Sequence, residues 1–110
     1  MSKVERRILR FLIKAIIRVN RHAWSELKWQ IYDGGFQSYY PAQDDFASAA
    51  EHSISRLTTE TRDELRVAWK SDVPSRPSLD EEHFEAIYAR LVVEEIVERA
   101  RVAAYRTIHW

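Results

Sequence analysis

The sequence predicts an all-α fold, a single small bundle of about four helices with a long first and a long last helix, spanning residues 1–110 as one domain. Three observations lead there. Apolar residues recur at three- and four-residue steps over long stretches, the period of a helix with one buried face. Only two glycines and three prolines punctuate the 110 residues, whereas a β-sandwich would need a turn signal about every 8 to 12 residues. A composition 45% hydrophobic and 31% charged suits a globular domain with one modest core.

The first helix is expected to run from Val4 to about Tyr32. Val4, Ile8, Leu12, Ala15, Ile16, Val19, Ala23 and Leu27 share one side at 100° per residue, while Lys3, Arg7, Arg10, Lys14, Arg18, Arg21 and Lys28 gather on the other. It should stop at Asp33-Gly34-Gly35, because glycine supplies the left-handed backbone on which helices commonly end. After a short aromatic connector, Phe36 to Pro41, a second helix is expected over Asp44 to about Arg56, burying Phe46, Ala50, Ile54 and Leu57. Thr58 or Thr59 reads as the N-cap of a third, reaching about Lys70 with Leu65, Ala68 and Trp69 inward.

Two prolines break the pattern between Ser71 and Pro77. Ser78-Leu79-Asp80-Glu81 then has the form of a capping box and opens a last helix expected nearly to Trp110. Ala86, Ala89, Val93, Ile96, Ala100 and Ala103 form one apolar row on it, with Phe84, Tyr88, Leu91, Val102 and Tyr105 roughly opposite. A helix apolar on two sides is either sandwiched in its own bundle or offers one side to a partner, which makes a homo-oligomer through this helix one of the readings.

Absent cysteine excludes disulfides, thiolate metal sites and a cysteine nucleophile, and fits a reducing, cytoplasmic setting. Arg10, Lys14 and Arg18 interrupt the apolar run from Ile8 to Val19, so no transmembrane segment is expected. Among His22, His52, His83 and His109, the closest approach to ligand spacing is Asp80-x-x-His83, and it would need further ligands from another helix. No serine has a glycine-framed elbow, and two adjacent glycines are too few for a phosphate loop. Neighbouring carboxylates such as Asp44-Asp45, Glu81-Glu82 and Glu94-Glu95 read as solvated surface. The expectation is a protein that is not an enzyme and has no metal or cofactor.

Charge is unevenly spread. Residues 1–30 hold eight basic and two acidic side chains, a net of +6, and the other eighty hold nine basic and fifteen acidic, a net of −6. The basic stripe of Arg7, Arg10, Lys14, Arg18 and Arg21 has three readings: a solvated face or one paired with the acidic last helix, a nucleic-acid site, and a docking face for an acidic protein or anionic membrane. Six of the thirteen aromatics, Trp24, Trp29, Tyr32, Phe36, Tyr39 and Tyr40, lie within seventeen residues around the two glycines. They either anchor the connector to the core or form a recognition surface.

The segment Asp33-Gly34-Gly35-Phe36-Gln37-Ser38-Tyr39-Tyr40 resembles the Asn-Gly-Gly-Phe-x-Gln-Tyr-Phe motif of a family of small helical bacterial proteins, largely of unknown function, that includes a DNA-mimic protein. The likeness spans about Trp24 to Leu57. Gly34, Gly35, Phe36 and Tyr39 agree with the motif; Asp33, Ser38 and Tyr40 depart from it, as does the polar stretch that follows. The resemblance implies an all-helical fold and a role exerted by binding another protein. A mimic would present dense negative charge, and the basic first helix runs against that for the molecule as a whole. The leading expectation is a small non-catalytic regulatory or inhibitory protein that works by protein contact, with Arg7, Arg10, Lys14, Arg18, Arg21, Phe36, Tyr39 and Tyr40 as candidate interaction residues; the alternative is a nucleic-acid-binding protein that uses the basic stripe.

Overall fold

The computed structural model describes residues 2–108, apart from the side chains of Asp72, Thr107 and Ile108. His109 and the expected extension toward Trp110 lie outside the described residues. Among the described residues five helices follow one another: α1 Lys3–Val19, α2 Arg21–Gly34, α3 Gln43–Ser55, α4 Thr59–Asp72 and α5 Glu81–Ile108. The all-α class agrees with expectation, and the helix count is one higher.

The extra helix comes from a break at Asn20, where a single continuous helix was expected. Its backbone leaves the helical region at φ −106° and ψ 50°. The Asn20 side-chain amide donates to the Ile16 carbonyl at 2.8 Å, and its own N–H donates to the same oxygen at 3.0 Å. A short amide side chain competes in this way with the backbone ladder. The break frees the chain to send α1 across α3, α4 and α5 while α2 lies along α5.

α1 buries a row rotated from the one expected: Ile16 is common to both, and Ala23 and Leu27, expected on the same side, are buried on α2. Glu5, Leu9, Ile13 and Ile16 face the interior, with Ile8, Leu12 and Ile17 half-buried beside them. Val4, Ala15 and Val19 are exposed. The buried row carries one leucine and two isoleucines, the exposed one two valines and an alanine, so this rotation removes the larger apolar area from water. The helix opens with a capping box: the Ser2 hydroxyl accepts from the Glu5 N–H, and the Glu5 carboxylate accepts from the Ser2 N–H, both at 3.1 Å.

α5 is the axis of the bundle. Its 28 residues extend for about 42 Å at roughly 1.5 Å per residue, equal to the longest dimension of the molecule, 42 Å. α3 and α2 pack along it and bury Ala89, Val92, Val93, Ile96, Val97, Ala100 and Ala104 together with Phe46, Ala50, Ile54, Ala23 and Leu27. Phe84 and Tyr88 turn toward α4, where the Tyr88 hydroxyl donates to the Leu65 carbonyl at 2.9 Å and its ring meets Trp69 edge-on. Both apolar sides of this helix are thus largely sandwiched; Ala86, expected in the small-residue row, is exposed, and Val102 and Tyr105 also reach the surface.

The other boundaries follow from local chemistry. Thr58 caps α4 by accepting from the Thr61 N–H. α5 is capped by Asp80 where Ser78 was expected, its carboxylate accepting from the His83 N–H at 2.8 Å. Asp80 and His83 are therefore a cap and its neighbour, and their ring contact at 2.7 Å completes that turn. Accepting the His83 backbone N–H, and then its ring, holds the Asp80 carboxyl below its ordinary value.

This cap stabilises the fold above the unfolded carboxylate pKa of about 3.9. The contribution is lost as pH falls through the lower folded value. Asp80→Ala is expected to lower the denaturation midpoint at neutral pH and to flatten the decline of that midpoint below about pH 4. Denaturant titrations across that range check both.

Candidate interaction surface on the first helix

Every cation named on α1 is at the surface: Lys3, Arg6, Arg7, Arg10, Lys14 and Arg18, with Arg21 just past the break. Amphipathic spacing puts them there, because the opposite side of the helix supplies the core. The acidic last helix does not neutralise them. All of its carboxylates but Glu82 are met by other arginines: Glu81 by Arg62 and Arg66, Glu85 by Arg62, Glu94 by Arg90, Glu95 by Arg99 and Glu98 by Arg101. Among the described residues, the one ion pair made by α1 joins Arg7 to Glu64 of α4 at 3.6 Å, with both side chains well exposed. Such a pair contributes well under about 1 kcal/mol.

One side chain in this basic region was not anticipated as surface. Phe11 lies between Arg18 and Val4 in the helical projection, about 40° from Arg7, and is 78% exposed. The sequence held the signal, since Phe11 sits about 160° away from the Leu9, Ile13 and Ile16 row.

The aromatic connector divides into anchor and surface. Tyr40 is 1% exposed; its hydroxyl donates to the Gly35 carbonyl at 2.7 Å and accepts from the Gln37 N–H at 3.0 Å. It is an interior strut, so it does not present itself to a partner as the sequence reading allowed. Gly35 ends α2 at φ 68° and ψ −153°, a positive-φ backbone open to glycine because it has no Cβ, and the Gln30 side chain accepts from the Ala42 N–H at 3.0 Å, tying connector to helix.

Phe36 and Tyr39 lie outside. Phe36 is 85% exposed, with the Arg101 guanidinium 4.8 Å from its ring centre. The Tyr39 hydroxyl donates to Asp44 at 2.7 Å, and this bond to a carboxylate raises the phenol above its ordinary value. Trp29 and Tyr32, edge to face at 5.5 Å, line a shallow cleft of about 320 Å³ with Ser25, Lys28 and Ala104. The structure does not merge the two candidate regions: the fourteen residues of α2, about 21 Å of helix, separate Arg21 from the connector.

Sequence reasoning missed Arg62, which is charged yet only 9% exposed. Its guanidinium donates to the carbonyls of Ile54, Ser55 and Leu57 at 2.9–3.3 Å, where α3 ends, and pairs with Glu81 and Glu85 at the start of α5. Orphan carbonyls at a helix end need donors, and one forked side chain supplies several. A faint signal existed in its position three residues before the buried Leu65, on the inward side of α4. Its role is in the fold, and it holds no solvent-facing site.

Among the described residues no three histidine, aspartate or glutamate side chains converge as a metal site, and no helix is long and apolar enough to cross a membrane. Compared with known proteins, the chain matches no protein-family model, no curated protein and no solved structure.

Proposed function

We propose that this chain is a small, non-catalytic regulatory or inhibitory protein that acts by binding another protein, with α1 as its contact surface. The observation that carries the reading is the solvent-facing, internally unclaimed basic side of α1: Arg10, Lys14 and Arg18 make no ion pair among the described residues, while the acidic side chains of α5 other than Glu82 pair with other arginines. Unmatched charge on one face speeds encounter with an opposite charge and selects among partners. Arginine and exposed aromatic groups are the residue types on which protein interfaces concentrate their binding energy. The resemblance around Gly34-Gly35-Phe36 points in the same direction, toward a helical protein acting on another protein.

The test reverses the charge without disturbing the core. Arg10→Glu, Lys14→Glu and Arg18→Glu together should leave the circular dichroism spectrum intact and the melting temperature within a few degrees, because surface changes of this kind usually stay within about 0.5 kcal/mol each. A photo-crosslinking residue at position 7 should form a defined protein adduct in the native host, and the triple reversal should abolish it. Gel shifts at about 50 mM salt address the nucleic-acid alternative: retardation that weakens steeply with salt and vanishes in the triple variant would give the surface to nucleic acid.

A further inference from the structure

α1 carries two apolar rows, and the core uses one of them. The second, Val4, Ile8, Phe11, Ala15 and Val19, advances by four, three, four and four residues, the spacing with which one helix offers a seam to another. Phe11 and Val19 are 78% and 82% exposed. Val4 and Ala15 are exposed as well, and Ile8 is half-buried at the edge where the seam meets the core. Side chains this exposed add little to the stability of the bundle. Lys14 and Arg18 border the seam on its solvent side, while Arg7, at its beginning, is shared with Glu64.

We infer that this seam is the seat of an acidic amphipathic α-helix of a partner protein, whose apolar row covers Phe11 and Val19 and whose carboxylates lie beside Lys14 and Arg18. The inference rests on the reading of α1 as a protein-binding surface and goes beyond it by naming the element that binds. Charge decides among the candidate occupants. The α1 seam of a second copy would set cation against cation, a repulsive arrangement.

A nucleic-acid backbone would match the cations but leave Phe11 and Val19 uncovered. A bilayer calls for a broad apolar face, and the broad face of α1 is already inside the bundle. At the far end, the groove between α1 and α4, about 650 Å³, places Glu60 and Glu64 with Val67 beside Val4. Carboxylates there repel an acidic segment, so the charged stretch of the partner belongs at the Lys14 and Arg18 end and an apolar end at Val4 and Val67.

The experiment uses the full chain and a fluorescent, staple-stabilised helical peptide of three heptads, one uncharged Leu-Ala-Gln-Leu-Ala-Ala-Gln for the Val4 end and two Leu-Glu-Glu-Leu-Glu-Glu-Glu, with a lysine-for-glutamate counterpart as control. The glutamate peptide should bind, and the lysine peptide should not. Phe11→Asp and, separately, the pair Lys14→Glu and Arg18→Glu should each weaken binding at least about tenfold, with circular dichroism unchanged. If the glutamate peptide binds equally well to Phe11→Asp, the seam inference falls, while the reading of α1 as a basic protein-binding face stands. No binding of the glutamate peptide also overturns the seam. If, in addition, phosphatidylglycerol vesicles or duplex DNA bind in a manner lost on charge reversal, the protein-binding reading falls with it.

Discussion

Arg62→Ala is expected to destabilise the fold by about 3 to 5 kcal/mol, the range found when one member of a buried charged network is removed. The change strips donors from the Ile54, Ser55 and Leu57 carbonyls and leaves Glu81 and Glu85 without their shared cation. Arg66 still reaches Glu81, so the residual charge is partly compensated and the lower half of the range is expected. The Phe84 ring loses the guanidinium 5.4 Å from its centre as well.

Arg62→Lys should recover only part of the loss, because an ammonium on one stem cannot serve α3 carbonyls and α5 carboxylates at once. Urea titration should show a lower midpoint with little change in slope, and melting should drop by more than about 10 °C. Arg90→Ala is the comparison, since its pair with Glu94 is exposed at 3.8 Å and removal should stay within about 0.5 kcal/mol. Equal losses from the two variants would mean that Arg62 does not join α3 to α5.

Tyr40→Ala comes next, with an expected loss of about 3 to 5 kcal/mol for truncating a fully buried aromatic side chain. Tyr40→Phe separates packing from hydrogen bonding. The ring stays, the bonds to Gly35 and Gln37 are lost, and the expected loss is about 1 to 2 kcal/mol. The hydroxyl ties both ends of the tight segment after α2, so amide exchange at Gln37 should speed up in Tyr40→Phe while amides in the middle of α5 keep their protection. A recognition residue would behave differently, weakening partner binding with little change in stability. If Tyr40→Phe proved as stable as the natural chain, the strut assignment would be wrong.

Much of the bundle was legible in order and in type. The α3 row of Phe46, Ala50 and Ile54, the Thr58 cap and the stop at Gly34 and Gly35 all follow from local spacing and backbone preference, and each is observed, whereas Leu57, expected in the same row, is half-buried past the end of α3. Three features were misread, for related reasons. At Asn20 an amide side chain bonds back one turn and ends α1, whereas periodicity continues smoothly across that position. On α1 two apolar rows lie side by side, and a periodic pattern identifies both without ranking them. At α5, Ser78 and Asp80 both had the chemistry of a cap, and the side chain that reached the N3 amide was the aspartate. The basic surface was legible as a stripe, but its solvent exposure was not. That depended on which arginines reached the carboxylates of α5.

By itself the sequence determined the helical class, the order of most elements, the absence of cysteine chemistry and the division of charge between the first thirty residues and the rest. These are consequences of local periodicity and composition. Tertiary structure alone decided that Arg62 and Arg66 would take the acidic start of α5, that Tyr40 would turn inward while Phe36 and Tyr39 turned out, and that α1 would give its Leu9 and Ile13 row to the core and leave Phe11 among the cations. The physical reason is common to all three: each is a competition between side chains far apart in the chain for the same buried space or the same opposite charge, and the outcome is set only when the helices pack.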